Sequence, residues 1–324
     1  MIRYLLAALL GIHGLIHLLG FVKAFHFAAI SQLTREISKP AGAFWLLTAL
    51  LFMVSVALLL LRKEWWPLGM VAVLLSQVLI FTVWDDAKFG SIANALILVA
   101  AILAFGTSRF ERTYDEDVRN ALYRNNSVTA PLVTESDLQH LPAPVQKYLR
   151  YAGVPGKPKV RNMKITFEGQ MRDRGKDYFP FVSEQYNFFD VPTRLFFMKA
   201  QMFGVTVPGY HAYKNGVATM QIKLFGLIPV IDKKGDIMNK AETVTVFNDM
   251  CLMAPATLID KNIQWEAIDS LSAKAVFTCN GISISATLFF NESGQLTNFV
   301  SDDRSAIDMK QYRSSTPVGD YKNF

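Results

Sequence analysis

Cysteine is scarce in this sequence. Only Cys251 and Cys279 occur, and they form neither a CxxC pair nor a spacing typical of metal ligands. Isolated cysteines of this kind mostly behave as small buried apolar side chains, and we expect that role for both. A disulfide between them remains compatible with the sequence. We predict no metal site.

Recognisable catalytic motifs are missing as well. The chain contains no GxSxG, HExxH or GxxxxGK[ST] pattern, and no GxGxxG after a predicted strand. His140 and His211 are the only histidines beyond residue 133, and neither belongs to a ligand or catalytic pattern. The acidic residues in that region show no spacing that selects an acid/base pair, and we expect them to form cross-strand salt bridges. We therefore assign no catalytic residue and no cofactor.

A concentrated basic surface is also absent. The 33 Lys and Arg exceed the 27 Asp and Glu by only six. Residues 1–107 contain seven basic and four acidic residues, so the excess is divided evenly between this region and the rest. A nucleic-acid-binding protein usually concentrates positive charge on one face. The composition therefore predicts no nucleic-acid partner.

Four apolar runs occupy the first third of the chain. They cover residues 4–25, 44–61, 66–84 and 92–106, and the only charge within them is Lys23 near an end. Runs of this kind are typical of helices that cross a bilayer, and Trp45, Trp65, Trp66 and Trp84 stand at their ends, where indole rings favour the headgroup zone. We predict a four-helix transmembrane region over residues 1–107, with the lipid bilayer as its partner.

The distribution of Lys and Arg in the loops predicts the orientation. The loops on the side of the N-terminus contain more of them, and the strongest single indicator is the adjacent pair Arg62 and Lys63. The first run is too long for a signal peptide and lacks a cleavage motif, so we expect it to be retained. These features predict a multi-pass protein of a bacterial inner membrane with a cytoplasmic C-terminal domain.

Polar residues inside the predicted helices need an explanation, because ionisable groups are costly in a bilayer. His13 and His17 are one turn apart and share a helix face, while Gln77 and Ser76 stand in the middle of the third run. One interpretation is hydrogen bonding between helices, from the histidines to Gln77 or Ser76. The other is a redox or proton-coupled role in which the pair contacts a haem, a metal or a quinone. No complete ligand set is visible.

Beyond residue 107 the pattern becomes that of a water-soluble α+β domain. Residues 108–133 read as an amphipathic helix and a linker, and residues 134–324 as the domain itself. Asn215-Gly216 and Asn280-Gly281 are strong hairpin signals between alternating segments. The pattern predicts a curved antiparallel sheet of about nine strands with two or three helices, one of them over residues 238–253.

Several segments resemble an uncharacterised bacterial membrane-protein family that carries a C-terminal domain of unknown function. The resemblance covers most of residues 141–324 and depends on LPAPVQKYLRYAGVPG, FEGQMR, SEQYNFF, VPTRLFF, GVATMQIKLFGLIPV and APATLI. It implies no catalytic residues. Members of that family continue past the equivalent of Phe324, which favours a truncated product with an open sheet edge.

Two looser likenesses concern the fold. The strand order with one long helix is similar to the half-barrels of lipoprotein carriers of the LolA/LolB type, which shelter acyl chains. GIHGLIHLLGFVKAF and WDDAKFG resemble small four-helix membrane proteins of the DoxX type. Fold-level analogy implies architecture and says little about function.

The strongest functional indication is the abundance of Phe and Met in the second and third predicted strands. Such side chains adapt to acyl chains, and we predict ligand contacts from Phe181, Phe188, Phe196, Met198 and Met202. The favoured hypothesis is a membrane-anchored module that binds a lipid or another amphiphile. An ordinary sheet core beneath the helix at 238–253 is the alternative interpretation of these strands.

Overall fold

The computed structural model describes residues 2–124, 130–172, 175–202, 204–305 and 310–318. These residues belong to two compact units. The first comprises Met1–Phe110 with Phe225–Leu227, and the second comprises Glu111–Leu224 with Ile228–Phe324. Part of the predicted linker (residues 125–129) and the end of the chain (residues 319–324), where the open edge was expected, lie outside the described residues.

The first unit is helical. It contains α1 (Ile2–Ala24), α2 (Lys39–Leu60), α3 (Trp66–Thr82), the short α4 (Trp84–Ala87) and the beginning of α5 (Gly90–Arg124). Three helices, α1, α2 and α5, are long and apolar enough to cross a membrane, whereas α3 is apolar but has only 17 residues. Most of the apolar surface of the three long helices faces outward, as association with a membrane requires.

Small residues bring α1 and α2 close together. A Cβ atom at Gly20 would lie 2.1 Å from Cδ2 of Trp45, and one at Gly42 would lie 2.3 Å from the Cβ of Ala24. Neither distance leaves room for a side chain, so these glycines set the separation of the two helices. This packing places the Trp45 ring directly against α1.

Helix α5 continues past its apolar run without interruption. The charged stretch after residue 107, where the sequence predicts an amphipathic helix, is helical to Arg124 and belongs to the same helix as the apolar run. Its last part belongs to the second unit, where Tyr114 stacks on Phe197 with ring centroids 5.3 Å apart. A helix needs no break where its surface changes from apolar to charged, because residues of both kinds propagate helical hydrogen bonds well.

The second unit contains two open antiparallel sheets, which confirms the predicted α+β class. The first sheet is a meander in chain order with strands β1 (Asn162–Met171), β2 (Phe179–Phe188), β3 (Thr193–Met202), β4 (Val205–Lys214), β5 (Val217–Leu224) and β6 (Ile228–Lys234). The second sheet, again in chain order, consists of β7 (Ile263–Ala267), β8 (Ser272–Cys279), β9 (Ile282–Phe290), β10 (Leu296–Ser305) and β11 (Gln311–Pro317). The division into two sheets, and strands β7 and β11, were not anticipated.

Both Asn-Gly turns form as predicted. Asn215 and Gly216 join β4 to β5 with φ angles of 53° and 79°, and Asn280 and Gly281 join β8 to β9 with φ angles of 49° and 79°. Two consecutive residues with positive φ define the turn that matches the twist of a two-residue hairpin. These turns fix the register of the strands on either side.

Helix α7 (Asp236–Met253) packs against both sheets of the second unit. Its apolar side chains Val244 and Phe247 join Phe277 and Phe299 of the five-stranded sheet in the main core. On its other side, the Thr243 hydroxyl lies 3.0 Å from the hydroxyl of Tyr213 on β4.

Cys251 and Cys279 are free and buried in the same core, as predicted. The remaining helix, α6 (Ala143–Tyr151), contributes Val145 and Leu149 to it.

Candidate functional site

The face of the six-stranded sheet that meets α7 has a polar end and an apolar end. We call it the inner face, and its residues are alternate positions of neighbouring strands. On β2 these are Ser183, Gln185 and Asn187, which pair with Met198, Phe196 and Arg194 of β3, respectively. Phe196 and Met198 pair in turn with His211 and Gly209 of β4. Polar and apolar side chains thus form one continuous surface.

The apolar end of the inner face contains a cavity of about 270 Å³. Its wall includes Phe181, Phe196, Met198, Met220 and Ile222, and among the described residues Ser183 and His211 are its polar side chains. Gly209 lies in the wall between Met198 and Ile222 and contributes no side chain there. A Cβ atom at this position would approach Cγ1 of Ile222 to 3.4 Å. The volume lies near the lower limit for small-molecule sites.

The polar end is a buried network centred on Arg194. The guanidinium group donates from Nε to Asp249 Oδ2 at 2.9 Å, from Nη1 to Glu242 Oε2 at 3.3 Å and from Nη2 to Gln185 Oε1 at 2.9 Å. Gln185 and Asn187 also donate to Asp249 Oδ2, at 2.8 and 3.0 Å. Each of the five side chains is buried. The network joins β2 and β3 to α7 and covers this end of the inner face.

His211 connects the network to the cavity. Its Nδ1 lies 3.4 Å from Glu242 Oε1, and its ring is part of the cavity wall. Burial alone would raise the pKa of Glu242, but the neighbouring Arg194 and His211 outweigh it and lower the pKa to about 2. Burial disfavours the charged form of Arg194, yet the two carboxylates raise its pKa. The ion pair therefore stays charged at neutral pH.

Several buried polar atoms of the second unit have no hydrogen-bond partner among the residues that the structure describes. They include the Ser183 hydroxyl, the Asn248 side-chain oxygen, and Nε and Nη2 of Arg304. Arg304 lies near enough to Glu242 to help lower its pKa. Buried polar groups in folded proteins are nearly always paired, and an unpaired one indicates a missing partner. Ser183 is 2% exposed and lies in the cavity wall, so a bound molecule can supply its partner.

The predicted ligand-binding residues divide between two faces. Phe181, Phe196 and Met198 line the cavity together. Phe188 does not line it. It is an odd number of residues from Phe181 on β2 and therefore projects from the other face, where its buried ring stacks on Tyr186. Met202 shares the inner-face alternation, but it lies at the end of β3 in a separate cleft of about 530 Å³.

Sequence reasoning did not find the buried network. The sequence predicts cross-strand salt bridges for the acidic residues, whereas the structure buries Glu242 and Asp249 of α7 together with Arg194 of β3. The available signal was the alternation of Ser183, Gln185 and Asn187, which places three polar side chains on one side of a strand. Asp249 on α7, the partner of Gln185, Asn187 and Arg194, is more than 50 residues from each of them, and no local pattern connects them.

Polar residues of the apolar helices form a second cluster in the first unit. His13 Nε2 lies 2.9 Å from Asn94 Oδ1 and 3.2 Å from Ser76 Oγ, and Asn94 donates to Gln77 at 3.0 Å. His17 Nδ1 lies 2.8 Å from the carbonyl oxygen of His13. His13 and Gln77 are thus linked through Asn94, which the sequence analysis did not single out. A redox or proton-coupled role for the pair stays a prediction.

No group of three or more His, Cys, Asp or Glu side chains suited to a metal ion occurs among the described residues. A search of the curated proteins finds no match to the chain. A family of unknown function, DUF6544, matches residues 131–324, which is more than half of the chain and includes every residue of the inner face. The chain therefore belongs to the DUF6544 family.

Proposed function

We propose that the second unit binds a single-chain amphiphile on its inner face. The observation that supports this function best is the cavity itself, whose apolar wall contains a buried, unpartnered hydroxyl group from Ser183. An acyl chain would contact Phe181, Phe196 and Met198, while its polar head would approach Ser183 and His211. Chain and head would then each meet the part of the wall that matches their polarity.

The polar network gives this site a defined end. Arg194, Glu242 and Asp249 are fixed by one another and by Gln185, so they form a rigid charged wall beside His211. The head of the amphiphile would stop at this wall, because its space is filled by side chains that already pair with one another. We infer that the network sets the depth to which the head enters and so directs the acyl chain towards the apolar end of the cavity.

We also propose that the apolar helices anchor this site to a bacterial inner membrane. In this arrangement α1, α2, α3 and α5 cross the bilayer, both termini lie inside, and the binding unit is cytoplasmic. The length and apolar composition of α1, α2 and α5 support the anchoring, and the Lys and Arg of the loops support the orientation. The bilayer would be the source of the amphiphile.

Photocrosslinking tests the proposed function. The full-length protein in lipid nanodiscs is incubated with a diazirine-bearing fatty acid and irradiated, and labelled peptides are mapped by mass spectrometry. We expect labels on β2 to β5, and a several-fold loss of these labels in Gly209→Val, because the added side chain enters the cavity.

Thr219→Val is the matched control for this experiment. Thr219 lies on β5 next in sequence to the cavity residue Met220, so its side chain projects from the other face of the sheet. This variant introduces the same side chain and should leave the labelling unchanged. Labels confined to the apolar helices, or equal labelling of Gly209→Val and the wild type, would contradict the proposed function.

A further inference from the structure

A second cavity, of about 350 Å³, lies within the first unit. His13, His17 and Trp45 form part of its wall, together with the apolar side chains Ile16, Leu19 and Phe89. Those three apolar residues are among the exposed ones of the helical unit. Because the helices have the composition of membrane spans, a lipophilic molecule can approach this wall from the hydrocarbon phase.

The hydrogen bonds around His13 define which of its nitrogens donates. Asn94 gives its amide hydrogen to Gln77 Oε1 at 3.0 Å, and Gln77 gives its own to Ser91 Oγ at 3.0 Å. Asn94 therefore presents its oxygen to His13, and His13 Nε2 must carry the hydrogen. The ring of His13 is thus held in one orientation by a chain of directed bonds.

His17, one turn further along α1, has an unused hydrogen-bond acceptor. A carbonyl oxygen can only accept, so the 2.8 Å contact with the His13 carbonyl requires a hydrogen on His17 Nδ1. In the neutral ring, Nε2 of His17 then carries a lone pair. This atom is buried and has no hydrogen-bond partner among the described residues. The ring lies against Trp45 and Phe52, at centroid distances of 5.1 and 5.6 Å.

Trp45 supplies the complementary group. Its indole Nε1 is also buried without a hydrogen-bond partner in the part of the chain that the structure describes. An indole N–H is a donor only, so one cavity wall contains an unused acceptor and an unused donor on two neighbouring rings. A hydroxyl group satisfies both, because its hydrogen can be given to His17 while its oxygen accepts from Trp45.

We propose that this cavity binds a lipophilic molecule bearing a hydroxyl group, such as an alkylated phenol, with the hydroxyl between His17 and Trp45. Both nitrogens lie beneath the cavity surface, so binding includes a small turn of the two rings. The site belongs to the first unit and is independent of the amphiphile site on the inner face. The two proposals can therefore fail separately.

A matched pair of probes tests the proposal. Binding of 4-heptylphenol and of its methyl ether, 4-heptylanisole, to the full-length protein in nanodiscs is measured calorimetrically, after subtraction of partitioning into empty nanodiscs. The ether keeps the acceptor oxygen but cannot donate. We expect the phenol to bind about 3- to 10-fold more tightly, the difference that one net hydrogen bond makes.

Variants separate the contribution of the hydrogen bond to His17 from that of the cavity's shape. His17→Phe keeps an aromatic ring and removes the acceptor, so it should abolish the preference for the phenol. Ala93→Leu places a larger side chain in the cavity and should weaken the binding of both probes. Ile12→Phe, on the exposed side of α1, is the control and should leave the binding of both unchanged. Equal affinity of the wild type for the two probes, no binding above the empty nanodisc, or a preference that persists in His17→Phe would overturn the proposal. The wild-type comparison remains decisive if His17→Phe does not fold.

Discussion

Arg194 donates hydrogen bonds to three buried side chains of the second unit. Removing one partner of a buried ion pair typically costs about 3–5 kcal/mol, because the other charge is left without compensation in the interior. Arg194 serves two carboxylates and one amide at once, so its loss would leave several groups unpaired. Apolar side chains of equal size would often stabilise the fold as well as a buried ion pair does. The position of the network beside the cavity therefore favours a role in shaping that cavity.

The acid dependence of stability follows from Glu242. Its pKa is lowered to about 2 in the folded protein from an ordinary value of 4.5, so its ionised form stabilises the fold above pH 4.5. This contribution is lost as the pH falls from about 5 towards 2. We expect the free energy of unfolding, measured by urea titration of the full-length protein with circular dichroism, to fall by on the order of 3 kcal/mol over that range.

Two variants check the assignment to this residue. Glu242→Gln should be less stable at neutral pH and should lose most of the acid dependence. Glu135→Gln is the control, because Glu135 is exposed in its salt bridge with Arg150 and such pairs contribute little. An unchanged acid slope in Glu242→Gln would show that other carboxylates are responsible.

At the scale of elements, the extension of α5 covers the other face of the six-stranded sheet. Tyr114 lies between Phe197 and Tyr210, and Asp117 accepts hydrogen bonds from the Tyr210 hydroxyl at 2.6 Å and from Lys214 at 2.7 Å. Burial, together with this bond to Asp117, raises the pKa of Tyr210. The sheet is thus held between a helix on each face, which keeps the inner cavity in place.

Asp117→Ala tests this contact. It removes one hydrogen-bond acceptor of the Tyr210 hydroxyl and of Lys214, so we expect a loss of about 1–3 kcal/mol in stability. Hydrogen–deuterium exchange of the full-length protein should then be faster in β4 peptides. Glu116→Ala changes an exposed neighbour on the same helix and should leave exchange in β4 within error of the wild type. Slower or equal exchange in Asp117→Ala would refute the stabilising role.

The elements that sequence reasoning anticipated were those with strong local signals. Short sequence patterns predict the Asn-Gly turns, the alternation in β2 and β3, and the helix that contains Val244 and Phe247. Strand β7 is only five residues long, and β11 is polar, so neither gives a clear apolar alternation. The division into two sheets depends on how α7 packs between them, and such long-range packing overrides local preference.

The same distinction explains the candidate site. Phe181, Phe196 and Met198 share one face because strand alternation and cross-strand pairing bring them together. Phe188 is an odd number of residues from Phe181 on β2, so the same alternation places it on the opposite face. Arg194 and Asp249 lie on different elements far apart in the chain, and only the folded structure brings them together.

At the scale of the whole molecule, the family match and the folded unit have different boundaries. The match begins at residue 131, whereas the second unit begins at Glu111 and includes the end of α5. The residues of that helix end cover Phe197 and Tyr210, which are 4% and 6% exposed. A fragment that begins at the family boundary would expose this apolar surface to water.

This difference predicts the behaviour of two fragments. Residues 111–324 should be soluble and monomeric, and residues 131–324 should aggregate or unfold at a lower temperature, because the outer face of the sheet has lost its cover. Size-exclusion chromatography and thermal unfolding followed by circular dichroism check this expectation. Equal solubility and equal unfolding temperature of the two fragments would show that the helix end is dispensable.

The chain-order meander of the first sheet has a consequence for synthesis on the ribosome. Each of its strands pairs with the next one along the chain, so hairpins can form one after another as the polypeptide emerges. The sheet can therefore be complete before α7 has emerged. During that interval Arg194 has not yet met Glu242 and Asp249, and the inner face of the sheet is exposed to solvent. A chaperone that recognises nascent apolar surface would bind this face in the short period before α7 packs against it.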